Sequence, residues 1–263
     1  MARGFELEDQ PWFPRRLRRM MMEYIGFLGH GLGSYRGLAP VLARAVAEAG
    51  ADGVLDLASG SGAPVAGLQQ SSGLEGVQFI LSDLYPVGEN DALRATFRDP
   101  TSVRWHAEPL DARHGAVDAY PGALRTLLNG YHHFGESDKI RLLEAHGRRG
   151  FLVAEILEPT PGCLARVLLA TTVGQVILAP FVRPFRWERL FWTWVVPINL
   201  FTVTFDGVMS VLRVDTPRRL EARARAHAPS GTQVMAGRSG PWWAPIHWVL
   251  VLPKPAPMAE GRP

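Results

Sequence analysis

The stretch Asp56-Leu57-Ala58-Ser59-Gly60-Ser61-Gly62 follows the apolar pair Val54-Leu55 and opens a segment with helical spacing. Glycine lets the backbone turn tightly and approach a ligand with no side chain in the way. A small-residue loop between a strand and a helix lies at the carboxyl end of that strand, where open α/β sheets take their ligands. Asp56 gives the loop an acid, which suits a ligand carrying positive charge close by.

Working outward, apolar runs at 77–83, 103–107, 125–131 and 150–157 read as further strands. Helical periodicity at 91–97 and 136–146 falls between them. Strands alternating with helices imply crossover connections and a parallel α/β sheet. Upstream, residues 17–28 and 38–46 carry apolar positions at helical spacing, and Gly50 supplies a stop. Downstream, 217–228 reads as an arginine-rich helix, and 232–236 and 246–252 as strands. Only Gly237-Arg238-Ser239-Gly240-Pro241 and a few more residues join those two, so they form an antiparallel hairpin. The proline-rich end is expected to fray.

Two ligand classes compete for the loop. A dinucleotide site wants Gly-x-Gly-x-x-Gly, and counting from Gly60 the third glycine falls on Val65. An NAD-dependent dehydrogenase is therefore the weaker reading. The stretch instead resembles motif I of the class I S-adenosylmethionine-dependent methyltransferases, acid-x-Gly-x-Gly-x-Gly, with Ala58 in place of the first glycine. That exchange costs little if the backbone at Ala58 keeps a negative φ.

The resemblance extends along the chain. Asp83, 21 residues after Gly62, matches the acid that ends the second strand and binds the cofactor ribose, with Leu84 beside it. A carboxylate accepts from both hydroxyls of a diol. Asp111-Ala112, past the third strand, match the acid that meets the adenine amino group, and Asn129 ends the fourth strand next to the methyl group. The implied cofactor-binding set is Asp56, Ala58, Ser59, Gly60, Gly62, Asp83, Leu84, Asp111, Ala112 and Asn129. The implied fold is a Rossmann-like, seven-stranded, mostly parallel sheet with an antiparallel last strand and helical lids at the N-terminus and after the fifth strand. The implied organisation is a helical lid over 1–50, a cofactor-binding core over 51–160, an apolar lid over 161–214 and a closing helix and hairpin over 215–263.

Methyl transfer is an in-line displacement at carbon, and a base is needed only if the acceptor carries a proton. His132 and His133 are the catalytic candidates, since imidazole titrates near neutrality. Read as extended strand, they point opposite ways and one of them faces the acceptor. A histidine pair completed by Glu155, Glu158 or Asp206 would suit a metal, but adjacent strand histidines diverge, so none is expected. Glu155, Glu158 and Asp206 are candidates for binding the acceptor. By the resemblance Trp12, Phe13, Tyr24, Tyr35, Phe191 and Trp192 line its cavity, and the apolar lids point to a small hydrophobic or aromatic acceptor, such as a natural-product intermediate.

Composition narrows the field. The 263 residues are 47% hydrophobic and 20% charged, which excludes a disordered chain. Cys163 is the only cysteine, so there is no internal disulfide and no multi-thiolate metal site, and a reducing, cytoplasmic setting fits. The net charge of +3 comes from dispersed arginines with only Lys139 and Lys254, which argues against a nucleic-acid partner. Arg15, Arg16, Arg18 and Arg19 before Met20-Met21-Met22 imitate a secretory signal, but Glu23 interrupts the apolar run and an amphipathic helix is expected.

The runs 167–182 and 190–203 are too short, or too broken by Pro197, to span a bilayer. Two buried core helices are the favoured reading. A weak membrane-surface contact, with Arg183, Arg186 and Arg189 at lipid headgroups, is the other, and would make the chain a peripheral S-adenosylmethionine-binding module. Nothing in the sequence sets an oligomeric state.

Overall fold

The computed structural model describes residues 5–86, 94–114, 116 and 118–254. Seven strands form one sheet: β1 (Gly53–Asp56), β2 (Gln78–Leu81), β3 (Val103–Trp105), β4 (Ala123–Leu128), β5 (Phe151–Glu155), β6 (Thr232–Ser239) and β7 (Ile246–Pro253). Their spatial order is β3-β2-β1-β4-β5-β7-β6. The first five run parallel, β7 runs antiparallel to β5, and β6 pairs antiparallel with β7. This is the Rossmann-like architecture expected from the sequence, with every expected strand present. Part of the helix expected at 91–97 lies outside the described residues.

Strand order reverses between β1 and β4, so a crevice opens where their carboxyl ends diverge. Both central strands are buried along their whole length, hence their near-continuous apolar runs. On one face, α2 (Ala39–Ala49) and α3 (Ala63–Gln69) pack through Leu42, Ala45, Val65 and Leu68. On the other, α4 (Glu136–His146) and α8 (Pro217–His227) pack through Leu142, Leu143, Leu220 and Ala224. Helix α4 opens with Glu136 and Asp138, acids that favour the positive end of its dipole.

Four helices cover the crevice. α1 (Arg15–Leu32) turns Met20, Met21 and Tyr24 inward and ends on Gly33, whose φ of 67° suits a residue without Cβ. After β5 come α5 (Pro161–Phe181), α6 (Trp187–Val195) and α7 (Ile198–Arg213), the last two bent by 81° at their junction. Pro197 sits at that break, where it cannot continue the helix.

The lid corrects the favoured reading of its apolar runs. α5 is longer than the run that announced it, 21 residues, and only 22% of its most apolar window is buried. It is not a core helix. Of the three arginines expected at headgroups, only Arg183 is exposed. Arg189 is buried and, with Arg186, binds Glu23 of α1.

Candidate active site

The glycine loop is held from below and from the side. Thr126, level with Asp56 on the neighbouring strand β4, donates to Asp56 Oδ1 at 2.6 Å. Ser59 N–H donates to Ser82 O at 2.9 Å, and Gly60 N–H to Asp83 Oδ2 at 2.8 Å. Asp83 Oδ1 accepts from Tyr85 N–H at 2.8 Å. Each carboxylate oxygen of Asp83 thus holds one backbone amide and keeps a further lone pair for a ligand.

The loop turns through left-handed geometry at Ala58 (φ 53°), Gly60 (φ 53°) and Gly62 (φ 72°). Ala58 therefore does not keep the negative φ that would have made its exchange for glycine cheap. An L-residue there costs roughly 1 kcal/mol over glycine. At Gly62 a Cβ would stand 2.9 Å from Leu81 Cδ1, so glycine is required both for its conformation and for its space.

A single cavity of about 740 Å³ runs from this loop to the lid. Ala58, Ser59, Gly60, Asp83, Leu84, Asp111, Ala112 and Asn129 line it. Asp111 is engaged by Arg113 through Oδ2–Nη2 at 2.6 Å, and that hydrogen bond holds its carboxyl below the usual range. Asn129 adopts φ 57° and accepts from Ile156 N–H at 3.2 Å, which fixes the carboxyl end of β4. Asp56 and Gly62 lie behind this wall rather than on it.

Asp56 is fully buried, and burial pushes its carboxyl up to about 7. Its Oδ2 has no hydrogen-bond partner among the described residues. A cationic ligand above the loop would relieve that cost, directly or through water. The sign is fixed: a carboxyl raised from 3.8 to about 7 contributes stability below pH 4 that is lost as pH rises through 7. Asp56→Asn should therefore flatten the fall in Tm between pH 5 and pH 8, stabilising the unliganded protein at pH 8 by on the order of 3 kcal/mol. Glu8, raised by burial to about 8, leaves a residual slope. Parallel Tm curves for the two proteins would contradict this assignment.

At the far end of the cavity β4 stops at Leu128, and residues 131–133 form a short 3₁₀ turn instead of continuing the strand. The turn removes the alternation expected of His132 and His133. Both line the cavity, and their rings stand 4.4 Å apart at 34°. Glu155, at the carboxyl end of β5, receives His132 twice: backbone N–H to Oε1 at 3.0 Å and ring Nδ1 to Oε2 at 2.9 Å. Burial alone would raise Glu155, but its pairing with His132 holds it below the usual carboxylate range. An ionised acceptor places the proton of His132 on Nδ1 and leaves Nε2 for a ligand.

His133 has a different surround. Its Nδ1 lies 3.0 Å from Asp9 and 3.1 Å from Glu6, and Nε2 lies 3.7 Å from Glu8. Burial opposes its charge, but Glu6 and Asp9 prevail, with Glu8 the smallest contributor, and raise the imidazole well above 6.5. Its surroundings therefore favour the imidazolium form of His133.

The acids belong to an N-terminal strap that sequence reasoning missed. Asp206 accepts from the backbone N–H of Leu7 at 2.7 Å and Glu8 at 2.9 Å, while Arg18 donates to Glu8 O and Gln10 O. The available signal was the acidic run Glu6-Leu7-Glu8-Asp9 in an otherwise arginine-rich terminus. Asp206, on the cavity wall as expected of an acceptor residue, spends its carboxylate on the strap. Glu6, His132 and His133 each bring one ligand atom within 4.8 Å of the others. Arg213 lies 3.2 Å from Glu6 and Asp9 occupies His133 Nδ1, while Glu6 Oε2 has no hydrogen-bond partner among the described residues.

Of the aromatic residues expected around the acceptor, Tyr35 lines the cavity. Phe13 and Tyr24 instead pack in the core between α1 and the lid, and Tyr24 Oη donates to Ala170 O at 2.6 Å. Trp12 and Phe191 face solvent and Trp192 is half-buried, all three off the cavity wall. Glu158 pairs with Arg238 of β6, away from the cavity. The wall toward the lid is Met22, Ile25, Leu28, Val167, Ala170 and Val203.

No protein-family model and no curated protein sequence matches the chain. Among solved structures it is similar to an O-methyltransferase family protein from Burkholderia thailandensis, at 13% identity and TM-score 0.41, over 81% of this chain and 54% of that one. It is similar to human N-acetylserotonin methyltransferase in complex with SAM, at 15% identity and TM-score 0.42, over 81% and 51%. The mitomycin 7-O-methyltransferase gives 16% identity and TM-score 0.42, over 82% and 53%. The chain spans about half the length of these proteins. At such identity and TM-score, no function passes from them to this chain.

Proposed function

We propose that this chain is an S-adenosylmethionine-dependent methyltransferase acting on a small, apolar or aromatic acceptor whose reacting atom carries a proton. One observation carries the reading: the same cavity has the glycine loop and Asp83 at one end and the free nitrogen of a carboxylate-held histidine at the other. The residues present fit the cofactor. Asp83 retains acceptor lone pairs for a ribose diol, Ser59 and Gly60 present the loop backbone to the cavity, and the buried Asp56 lies behind the loop, where its field favours a positively charged ligand. When bound, the cofactor supplies an electrophilic methyl group on a sulfonium.

The chain's own residues do the remainder. His132 Nε2 would take the acceptor proton as the methyl carbon exchanges its bond to sulfur for one to the acceptor, leaving a neutral thioether, and Glu155 would stabilise the imidazolium that results. The wall of Met22, Ile25, Leu28 and Val203 excludes water, which would compete as nucleophile and weaken every electrostatic contact inside. The strap carrying Glu6, Glu8 and Asp9 closes the cavity beside His133.

Calorimetric titration separates this from its rivals. S-adenosylhomocysteine is expected to bind saturably, and NADH not at all; binding of NADH alone would overturn the reading in favour of a dehydrogenase. Transfer of labelled methyl to a panel of phenolic acceptors then distinguishes an enzyme from a module that only holds the cofactor.

A further inference from the structure

The lid helices carry their polarity the wrong way round for a surface in water. Turned inward are Thr171 and Gln175 of α5, Thr193 of α6, and Asn199, Thr202 and Ser210 of α7, all buried. They bond between helices: Gln175 Nε2 donates to Asn199 O at 3.3 Å, Asn199 Nδ2 to Thr193 Oγ1 at 3.2 Å, and Thr204 Oγ1 to Thr171 O at 3.1 Å. Turned outward are Leu169, Val173, Ile177 and Phe181 of α5, each about one helical turn from the next. Val195, Ile198, Phe201 and Phe205 continue the exposed face on α6 and α7. No charged residue occurs in 167–182 or 190–205.

Helices that use polar side chains to hold one another and present apolar ones outward are matched to lipid rather than to water. The edges of the face agree. Trp242 and Trp243 stand exposed beside Arg166, whose Nη1 donates to Trp243 O, at one end of α5. Trp187 (76% exposed), Phe185 and Arg183 stand at the other, and Arg16 approaches Glu188 there. Tryptophan and arginine at the border of an apolar patch are the residues suited to the headgroup layer. A second copy of the chain fits less well, because arginines stand at both ends of the face and a two-fold contact across it would bring the arginines of one copy toward those of the other.

The face lies on one leaflet and does not cross it. Glu23 of α1 binds Arg186, in the turn after α5, and Arg189 of α6, which ties the carboxyl end of α5 to α1, while its amino end follows β5. We propose that the exposed face of α5, α6 and α7 docks in the plane of an anionic bilayer, with Arg16 and Arg183 among the headgroups. Leu169 belongs both to this face and to the cavity wall, and exposed Ile25 and Leu32 line the cavity beside it. An acceptor dissolved in the leaflet thus meets the mouth of the cavity, a consequence that rests on the methyltransferase reading where the docking itself does not.

Flotation of the full chain with vesicles tests the docking. The chain is expected to rise with phosphatidylcholine vesicles containing phosphatidylglycerol, and the double variant Ile177→Asp/Phe201→Asp to stay at the bottom, its partition lowered at least about tenfold. Both positions are more than 60% exposed, so the substitutions should leave the melting curve and S-adenosylhomocysteine binding unchanged. The proposal is overturned if the parent chain fails to float, or if the variant floats equally. It is likewise overturned if sedimentation shows a dimer that the double substitution dissociates and no flotation occurs. Cofactor titration on the same samples reads the methyltransferase assignment separately.

Discussion

His132→Ala should lower methyl transfer by about 10²–10⁴-fold, the range of a lost general base, while leaving the affinity for S-adenosylhomocysteine within about twofold. The split follows from position. His132 stands where β4 ends, across the cavity from the glycine loop, and its side chain is hydrogen-bonded to Glu155. His133→Ala removes an imidazole that pairs with Glu6 and Asp9 and whose proton those two acids hold, so it is not the base. Its expected effect is a smaller loss, dominated by a raised KM as the strap loosens. Single-turnover rates with a saturating acceptor make the comparison. Equal rates for His132→Ala and the parent protein would mean that alignment alone carries the reaction.

The second large effect is expected at Asp83. Its carboxylate accepts from Gly60 N–H and Tyr85 N–H, so alanine there removes the ribose acceptor and releases the turn that shapes the loop. Each hydrogen bond to an ionised group contributes about 1.5–3 kcal/mol, and two lost toward the ribose predict a fall in cofactor affinity of at least about a hundredfold. Asn does not rescue, since its amide group would turn N–H donors toward a backbone N–H that already donates. Calorimetry on Asp83→Ala and Asp83→Asn decides: wild-type affinity in either places the ribose elsewhere.

Much of the framework was legible along the chain because its determinants are local. The runs that became β1 through β5 alternate with helical spacing within a few residues of each strand end, and Gly60 and Gly62 mark the turn that only small residues can make. Asp83 could be found by counting from Gly62, since the intervening helix and strand have little freedom in length. The end of β4 was not legible in this way. Leu127 to His133 reads as continuous strand, yet the pairing with β5 extends only to Leu128, where Ala154 is the partner. Asn129 makes one last backbone bond, to Ala154 O, and turns out of the strand at φ 57°, after which a 3₁₀ turn swings both histidines to one side.

Local pattern therefore determined the sheet, the loop and the candidate cofactor acid, while contacts between distant segments decided the chemistry and the surface. Glu155 reaches His132 across 23 residues, and Asp9 reaches His133 across 124. No spacing rule links such pairs, because only the folded sheet sets the distance between strand ends. The lid shows the same limit in its sharpest form. A run such as 167–182 has one composition whether protein, lipid or water lies against it. Only the packing of Thr171, Gln175 and Asn199 inward and of Ile177 and Phe201 outward settled which face the domain already covers.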